Sequence, residues 1–174
     1  MWSVMAIAAA ALAVAAVDLT MLKGYRVVWQ IGEFDGSAEE FALAPNDARA
    51  FVQRFPSDPV FVVGESKTDD WPFIHPSRAD TQWGGREQHT FRIRFSLPSK
   101  PSGQWVLLIS LADVHERLAP QMVVSVNGNE HRRQVAPGSG RAFYGDFASG
   151  RPQHVWLAFD GRELKAGENE IGIT

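Results

Sequence analysis

Two tryptophans, Trp71 and Trp83, lie in a segment, residues 65–88, that shows neither helical nor strand periodicity. Sugars present flat C–H faces that stack on aromatic rings, and hydroxyl groups that hydrogen-bond to planar polar groups. The segment therefore has the composition of a carbohydrate-binding loop. Charged and imidazole residues accompany the tryptophans: Asp69, Asp70, His75, Arg78, Asp80 and Arg86. The candidate ligand-binding residues are Trp71, Trp83, Asp70, His75 and Arg86.

The same tryptophans also allow a purely structural interpretation. Trp71-Pro72-Phe73 has the composition of a loop that folds over one end of a domain, because large aromatic side chains are mostly buried. A ligand-binding role requires an exposed ring, whereas a packing role requires a buried one. The sequence leaves both interpretations open.

A further candidate ligand-binding residue is Arg92, which shares the polar side of an alternating segment with Arg94. Guanidinium groups bind carboxylates bidentately, so this pair is suited to a uronate sugar. A solvated sheet face accounts for the two arginines equally well. Glu33 and Asp35, in a turn bounded by glycines, carry the oxygen ligands that calcium prefers, although such acids more often cap turns. We expect no other cofactor.

The sequence contains no recognisable catalytic motif. Its five histidines share no metal-ligand spacing, and it has neither a glycine-rich phosphate loop nor a Gly-x-Ser-x-Gly elbow. With no cysteine, disulfides, thiolate metal sites and a cysteine nucleophile are excluded. Asp69 and Asp70 have the residue types of a glycosidase pair, but adjacent carboxylates in a loop are usually solvated. We therefore expect that this chain alone is not an enzyme.

The composition is that of an ordinary globular protein. The chain has 174 residues, of which 45% are hydrophobic and 21% charged, enough for one domain with a single core. The formal net charge is -3, which provides no basic field to attract nucleic acid.

The N-terminus contains an unbroken apolar run, residues 4–17, that ends at Asp18. The run is short for a membrane span but typical of a secretory signal, and Ala13-Val14-Ala15 supplies a cleavage pattern. No Lys or Arg precedes it, so the alternative is an alanine-rich helix continuing from an upstream segment. We expect a signal peptide over residues 1–17, a domain over residues 18–174, a secreted or periplasmic location, and no membrane contact beyond export.

Short apolar segments separated by turn residues predict an all-β fold. Residues 89–97 alternate between apolar and polar side chains, which predicts a half-buried antiparallel strand. Residues 105–111 are apolar on both faces, which predicts a central strand. Asn127-Gly128 predicts a hairpin turn. Further strands are predicted over residues 25–31, 59–64, 122–126, 131–135 and 154–159, with a last strand near the C-terminus.

About eight antiparallel strands of this length predict a jelly-roll β-sandwich, preceded by the apolar leader. Trp29, Trp105 and Trp156 lie in strand patterns and are expected in its core. The chain ends at Thr174 inside a predicted strand, so we expect the sequence to be cut short at the C-terminus.

Several segments together resemble a known family: the third, carbohydrate-binding-like domain of polysaccharide lyase family 4, the rhamnogalacturonan lyases. The resemblance rests on three motifs, Val28-Trp29-Gln30-Ile31-Gly32-Glu33-Phe34-Asp35-Gly36, Val63-Gly64-Glu65-Ser66 and Asp70-Trp71-Pro72-Phe73. The later strands, the Val123–Gly128 hairpin and the ending Leu164–Ile171 follow in the same order. The resemblance covers roughly residues 25 to 174.

This resemblance implies a jelly-roll module of the galactose-binding-like type. In the family, such a module accompanies a catalytic β-sandwich and a fibronectin-like domain acting on pectin outside the cell. The family's catalytic lysine and histidine lie in its first domain, which has no counterpart here. We therefore expect a non-catalytic carbohydrate-binding-like module with a polysaccharide or oligosaccharide ligand and a catalytic lyase domain as a partner. The alternatives are a structural module that packs against a catalytic domain, and a fragment of a lyase.

Overall fold

A computed structural model describes residues 4–11, 24–33, 38–80 and 83–174. These residues form nine strands: β1 Val4–Ala11, β2 Tyr25–Val27, β3 Val60–Val62, β4 Phe91–Leu97, β5 Gln104–Leu111, β6 Gln121–Val126, β7 Asn129–Gln134, β8 Gln153–Asp160 and β9 Gly167–Ile173. One short α-helix, α1, spans Phe51–Arg54. The strands lie in two sheets, ordered β2-β1-β5-β8 and β3-β4-β9-β6-β7. The predicted all-β sandwich is confirmed.

The two segments with the clearest sequence patterns are strands, as predicted. Alternate residues of β4 are buried, and β4 pairs in antiparallel fashion with β9, from Phe91 opposite Ile173 to Leu97 opposite Gly167. All residues of β5 after Gln104 are buried, because this strand lies inside its sheet between β1 and β8. The connections from β4 to β5, β5 to β6, β7 to β8 and β8 to β9 all cross between the sheets, as in a jelly roll.

The core lies between the sheets and contains apolar side chains from both inner faces. These include Phe91, Ile93, Phe95, Val124, Val126, Ile171, Trp105, Leu107, Ile109, Leu157 and Phe159. Trp29 and Trp105 are buried there, as expected, and the ring of Trp29 contacts Phe95 at 5.4 Å. The expectation for Trp156 is corrected: because its neighbour Leu157 faces the core, Trp156 faces the other side of the sheet, where its ring lies 6.3 Å from Tyr25.

The N-terminal strands depart from the predicted antiparallel arrangement. β1 pairs in parallel with β2 and with β5, and β3 pairs in parallel with β4. Residues 4–11 belong to the predicted secretory leader, whereas in the structure they supply hydrogen-bond partners for one edge of β5. The rest of that leader, residues 1–3 and 12–17, lies outside the described residues. The signal peptide stays a prediction.

The connections between strands gather at two ends of the sandwich. The β4–β5, β6–β7 and β8–β9 connections meet at one end, where the Gly161 N–H donates to the Gly103 carbonyl at 2.7 Å. The segment before β4 and the β5–β6 and β7–β8 connections meet at the other. This second end of the sandwich contains the irregular segment, residues 65–88, and we call this end the aromatic end.

The end opposite the aromatic end is closed by an amide network centred on Asn169, whose side chain is 3% exposed. Its Nδ2 donates to the carbonyls of Lys165 and Gly167 at 2.9 and 2.8 Å, and its Oδ1 accepts from the Lys165 N–H. Asn127, in a left-handed conformation with φ of 48°, donates from Nδ2 to the Asn169 Oδ1 at 2.8 Å and accepts from the Glu170 N–H. The turn between β6 and β7, at Asn127, is therefore hydrogen-bonded directly to the first half of β9, at Asn169 and Glu170.

We expect Asn169→Ala to lower the free energy of unfolding by about 3 kcal/mol, because buried polar partners lose their hydrogen bonds. The measurement is urea denaturation followed by circular dichroism. The control is Asn129→Ala at the same end, whose exposed amide makes one hydrogen bond to the Val126 carbonyl; it should cost about 1 kcal/mol or less. Equal losses in the two variants would show that the Asn169 network has no special role.

Candidate functional site

Three aromatic side chains from two connections form a continuous row at the aromatic end. The half-buried ring of Trp83, in the segment before β4, lies 5.0 Å from the ring of Phe143 in the β7–β8 connection. Phe143 in turn contacts Tyr144 edge to face at 5.1 Å. Tyr144 is 72% exposed. We call Trp83, Phe143 and Tyr144 the aromatic row; its outer member presents a ring to solvent and its inner members pack against the core.

The β7–β8 connection is held by the carboxylate of Asp113, which lies just after β5. This carboxylate accepts hydrogen bonds from the Ser139 N–H and hydroxyl at 2.8 Å each, and from the backbone N–H groups of Arg141 at 2.6 Å and Arg151 at 3.2 Å. The N–H groups of Val114 and Ala142 also donate to it. One side chain therefore fixes both ends of the loop that carries Phe143 and Tyr144.

The ionised form of Asp113 is strongly favoured by this arrangement. Partial burial alone would raise its pKa, but the hydrogen bonds from Ser139, Ala142 and Val114 outweigh that effect and lower the pKa to about 2. The carboxylate is thus a fixed negative charge surrounded by donors. Its hydrogen-bonding capacity is occupied by the protein itself, which indicates a structural anchor.

Two glycines make the tight path of this connection possible. At Gly138 a Cβ atom would clash with the Val114 backbone and the Asp113 carboxylate, so only glycine lets the chain approach the anchor. Gly145 follows Tyr144 with φ of 78°, a left-handed conformation that L residues rarely adopt. A Cβ there would lie 3.1 Å from the Pro45 carbonyl, so the turn after Tyr144 packs closely on residues 45–46.

A second set of hydrogen bonds holds the loop that carries Trp83. The Gly84 N–H donates to the Asp80 carbonyl at 2.9 Å, and the Asp80 carboxylate accepts from the Ser77 N–H at 2.7 Å. On its other side, the Gly84 carbonyl accepts from Nε2 of His89 at 2.7 Å. His89 is buried directly before β4, so Trp83 is tied to the sheet through its neighbour Gly84.

The other predicted aromatic and imidazole residues lie in the core. Trp71 is 2% exposed, and its ring meets Phe91 and Phe61 edge to face at 5.2 and 6.1 Å. His75 stacks on Phe91 at 3.9 Å, and its Nε2 donates to the His89 carbonyl at 3.1 Å. Burial lowers the pKa of His75 to about 4, so its ring is neutral at ordinary pH. The predicted ligand-binding roles of Trp71 and His75 are therefore corrected to packing roles.

The charged candidates are dispersed. Asp70 closes the turn Thr68–Asp70 by accepting from the Lys67 N–H at 2.8 Å. Arg86 is exposed in the Trp83 loop, with a left-handed φ of 63°. The structure therefore keeps Trp83 and Arg86 in one loop and leaves Asp70 in another.

Arg92 lies on the outer face of the five-stranded sheet, within an ion network. It lies 3.7 Å from the Asp58 carboxylate and 3.8 Å from that of Glu170, and it donates to the Thr90 carbonyl. The Glu170 carboxylate also accepts a hydrogen bond from Nε of Arg94 at 2.9 Å. Arg92 and Arg94 therefore lie on a solvated sheet face, paired with acidic side chains of the same domain, which agrees with the alternative given above.

Sequence reasoning missed Tyr144, Phe143 and Asp113. The region 137–150 is rich in glycine and has no strand or helix periodicity, so its sequence indicates only a loop. The available signal was the Phe143-Tyr144 pair placed between Gly140 and Gly145, since adjacent aromatics in a turn-rich segment have no strand in which to be buried.

The described residues contain no cluster of three or more His, Cys, Asp or Glu placed to hold a metal ion. Of the two acids considered for calcium, Glu33 donates its backbone N–H to the Glu40 carboxylate at 3.1 Å, and Asp35 lies outside the described residues. Nor does any helix in this part of the chain have the length and apolarity needed to cross a membrane.

We expect Asp113→Asn to lower the melting temperature at neutral pH and to remove part of the acid sensitivity of the fold. The pKa is about 2 in the folded chain against an ordinary value of 3.8, so this carboxylate stabilises the fold above about pH 4 and loses that effect as the pH falls to about 2. The measurement is thermal unfolding across this range. Asp69→Asn, on an exposed turn, is the control and should follow the original chain. An Asp113→Asn curve parallel to that of the original chain would contradict the assignment.

Comparison with known proteins agrees with the architecture. A search of curated proteins gave no match. The family model described as CBM-like, polysaccharide lyase family 4, domain III, matches residues 27–174, which include β2 in part, β3 to β9, and both connections that carry the aromatic row. The chain therefore belongs to the family of the carbohydrate-binding-like third domain of polysaccharide lyase family 4.

Proposed function

We propose that this domain is a non-catalytic carbohydrate-binding module whose recognition surface is the aromatic end of the sandwich, with Tyr144 as the stacking residue. The observation that carries the proposal is an exposed aromatic ring on a loop that is fixed by a partly buried carboxylate. Tyr144 is 72% exposed, its ring is backed by Phe143, and Asp113 holds the backbone two residues before Phe143.

The physical basis is preorganisation. A sugar ring gains stacking and apolar contact with a tyrosine only to the extent that the tyrosine is already held in place, because ordering a mobile loop on binding offsets the gain. Tyrosine adds a hydroxyl that hydrogen-bonds to sugar hydroxyls. The inner rings, Phe143 and Trp83, support Tyr144 from the core side.

Family membership and the N-terminal sequence support proposals for the polymer and for the site of action. We propose rhamnogalacturonan-type pectin as the polysaccharide, a lyase catalytic domain as the partner, and an extracellular or periplasmic site of action after export by the N-terminal apolar run. The sequence contains no recognisable catalytic motif, which supports a non-catalytic role.

We expect Tyr144→Ala to weaken binding of the full chain to its oligosaccharide about thirty-fold, the change that corresponds to loss of one well-placed aromatic contact of about 2 kcal/mol. The measurement is isothermal calorimetry, with affinity electrophoresis against rhamnogalacturonan, galactan and homogalacturonan. Leu118→Ala is the matched control, since Leu118 is also a large exposed side chain at this end, 61% exposed. Unchanged affinity in Tyr144→Ala would remove Tyr144 from the site, and no binding to any of the three polymers would remove the proposed function.

A second candidate is a structural module that packs against a catalytic domain without binding sugar. It is favoured by the burial of Trp71 and by the pairing of Arg92 and Arg94 with acids, which leaves these candidates occupied within the domain. The two functions predict different results in the calorimetry: a packing module gives no heat with any of the three polymers.

A further inference from the structure

His89 occupies an unusual hydrogen-bonding position beneath the aromatic row. Its Nδ1 lies 2.8 Å from the Asp58 carboxylate, and its Nε2 lies 2.7 Å from the Gly84 carbonyl. Both partners are acceptors only. A neutral imidazole has one N–H, so it satisfies one of these contacts, whereas the imidazolium form donates to both. The geometry therefore matches a doubly protonated ring.

The surroundings of His89 contain one strong counter-charge. Asp58 also accepts from the Thr90 N–H at 2.9 Å and lies 3.7 Å from Arg92. Partial burial raises the pKa of Asp58, but the Thr90 N–H and the contacts with His89 and Arg92 lower it overall, so the carboxylate is ionised. The other titratable neighbour is His75, which is neutral and donates to the His89 carbonyl rather than to its ring.

The hydrogen bond from His89 to Gly84 reaches the proposed binding surface directly, because Gly84 follows Trp83. When the ring loses one proton, the remaining hydrogen stays on Nδ1, where its acceptor is a charged carboxylate and the bond is stronger. Nε2 then presents a lone pair to the Gly84 carbonyl. The buried carbonyl loses its donor, and the contact changes from attractive to repulsive.

We propose that His89 is a proton-dependent positioning residue of the carbohydrate site: as an imidazolium it links Asp58 to the Gly84 carbonyl and so holds Trp83 beneath Phe143, and on deprotonation it releases that loop. The effect on sugar affinity rests on the proposed function, whereas the effect on the loop does not. Since the charged form holds the loop, the held state is complete at low pH and is lost as the pH rises.

The first test follows the loop in the full chain without ligand. Two-dimensional ¹H–¹⁵N spectra of the histidine rings report the protonation of each nitrogen between about pH 5 and about pH 8, where histidines ordinarily titrate. We expect both nitrogens of His89 to be protonated where Gly84 is protected from exchange, and Nε2 to be unprotonated where that protection is lost. Amide-exchange protection at Gly84, corrected for the intrinsic effect of pH, should fall about tenfold over the same change.

A ring whose protonation is constant across this range, or Gly84 protection that does not follow the ring, would overturn the proposal. This measurement uses the unaltered chain, so it stands even where a His89 variant does not fold. Asp58→Asn adds a directional check: without its counter-charge the imidazolium is less favoured, so the release of the loop should move to lower pH. Release at unchanged pH in Asp58→Asn would contradict the role of Asp58.

The second test follows oligosaccharide affinity over the same pH range. The original chain should bind about tenfold more weakly at the high end, and His89→Gln should bind at the weak level throughout, because one glutamine amide does not donate to two acceptors in this geometry. His131→Gln is the matched control: its imidazole pairs with Glu163 at the opposite end of the sandwich, so it should keep the original pH dependence. Binding that is independent of pH in the original chain overturns the positioning role and leaves the proposed function intact. Absence of binding removes the proposed function, while the loop measurement still decides the behaviour of His89.

Discussion

The packing of loop rings on Phe91 is the interaction on which the aromatic end depends. Phe91 begins β4, and its ring is contacted by Trp71 at 5.2 Å, by His75 at 3.9 Å and by Phe51 of α1 at 5.9 Å. Segments far apart in the chain thereby become an extension of the sandwich core. A loop region with no regular hydrogen-bonding pattern gains a fixed conformation because it buries apolar area on a strand that is already ordered.

Two carboxylates, those of Asp113 and Asp58, also hold the loops of the aromatic end in place. Asp113 holds the connection that carries Phe143 and Tyr144, and Asp58 holds His89, which in turn contacts the loop of Trp83. Asp113 accepts backbone N–H groups from several loop residues, whereas Asp58 accepts the Thr90 N–H and contacts the His89 ring. The polar anchors and the aromatic row are consequently parts of one arrangement: the acids fix the loops, and the loops set the exposure of Tyr144.

Agreement between sequence and structure was good where local patterns dominate. The alternation in β4 predicted a strand with one buried face, and the apolar run of β5 predicted a central strand; the structure confirms both. The family resemblance agrees with the match over residues 27–174. Among the loops the agreement was weaker. Trp71 and Trp83 have similar sequence surroundings, yet Trp71 is buried on Phe61 and Phe91, whereas Trp83 lies half-buried under Phe143. What covers a loop side chain comes from distant segments, which periodicity does not report.

The class of fold can be predicted from local patterns, because strand alternation and turn residues are local features and each apolar face must be buried. The composition also excludes cysteine chemistry, because the chain has no cysteine, and its net charge of -3 provides no basic field to attract nucleic acid. Which aromatic ring faces solvent depends on long-range contacts, since the loop that exposes Tyr144 is held by hydrogen bonds between Asp113 and residues 26 to 38 positions away. The tertiary structure likewise decided that His89 lies between two acceptors, because Asp58 is 31 positions from it and meets it only when β4 is in place.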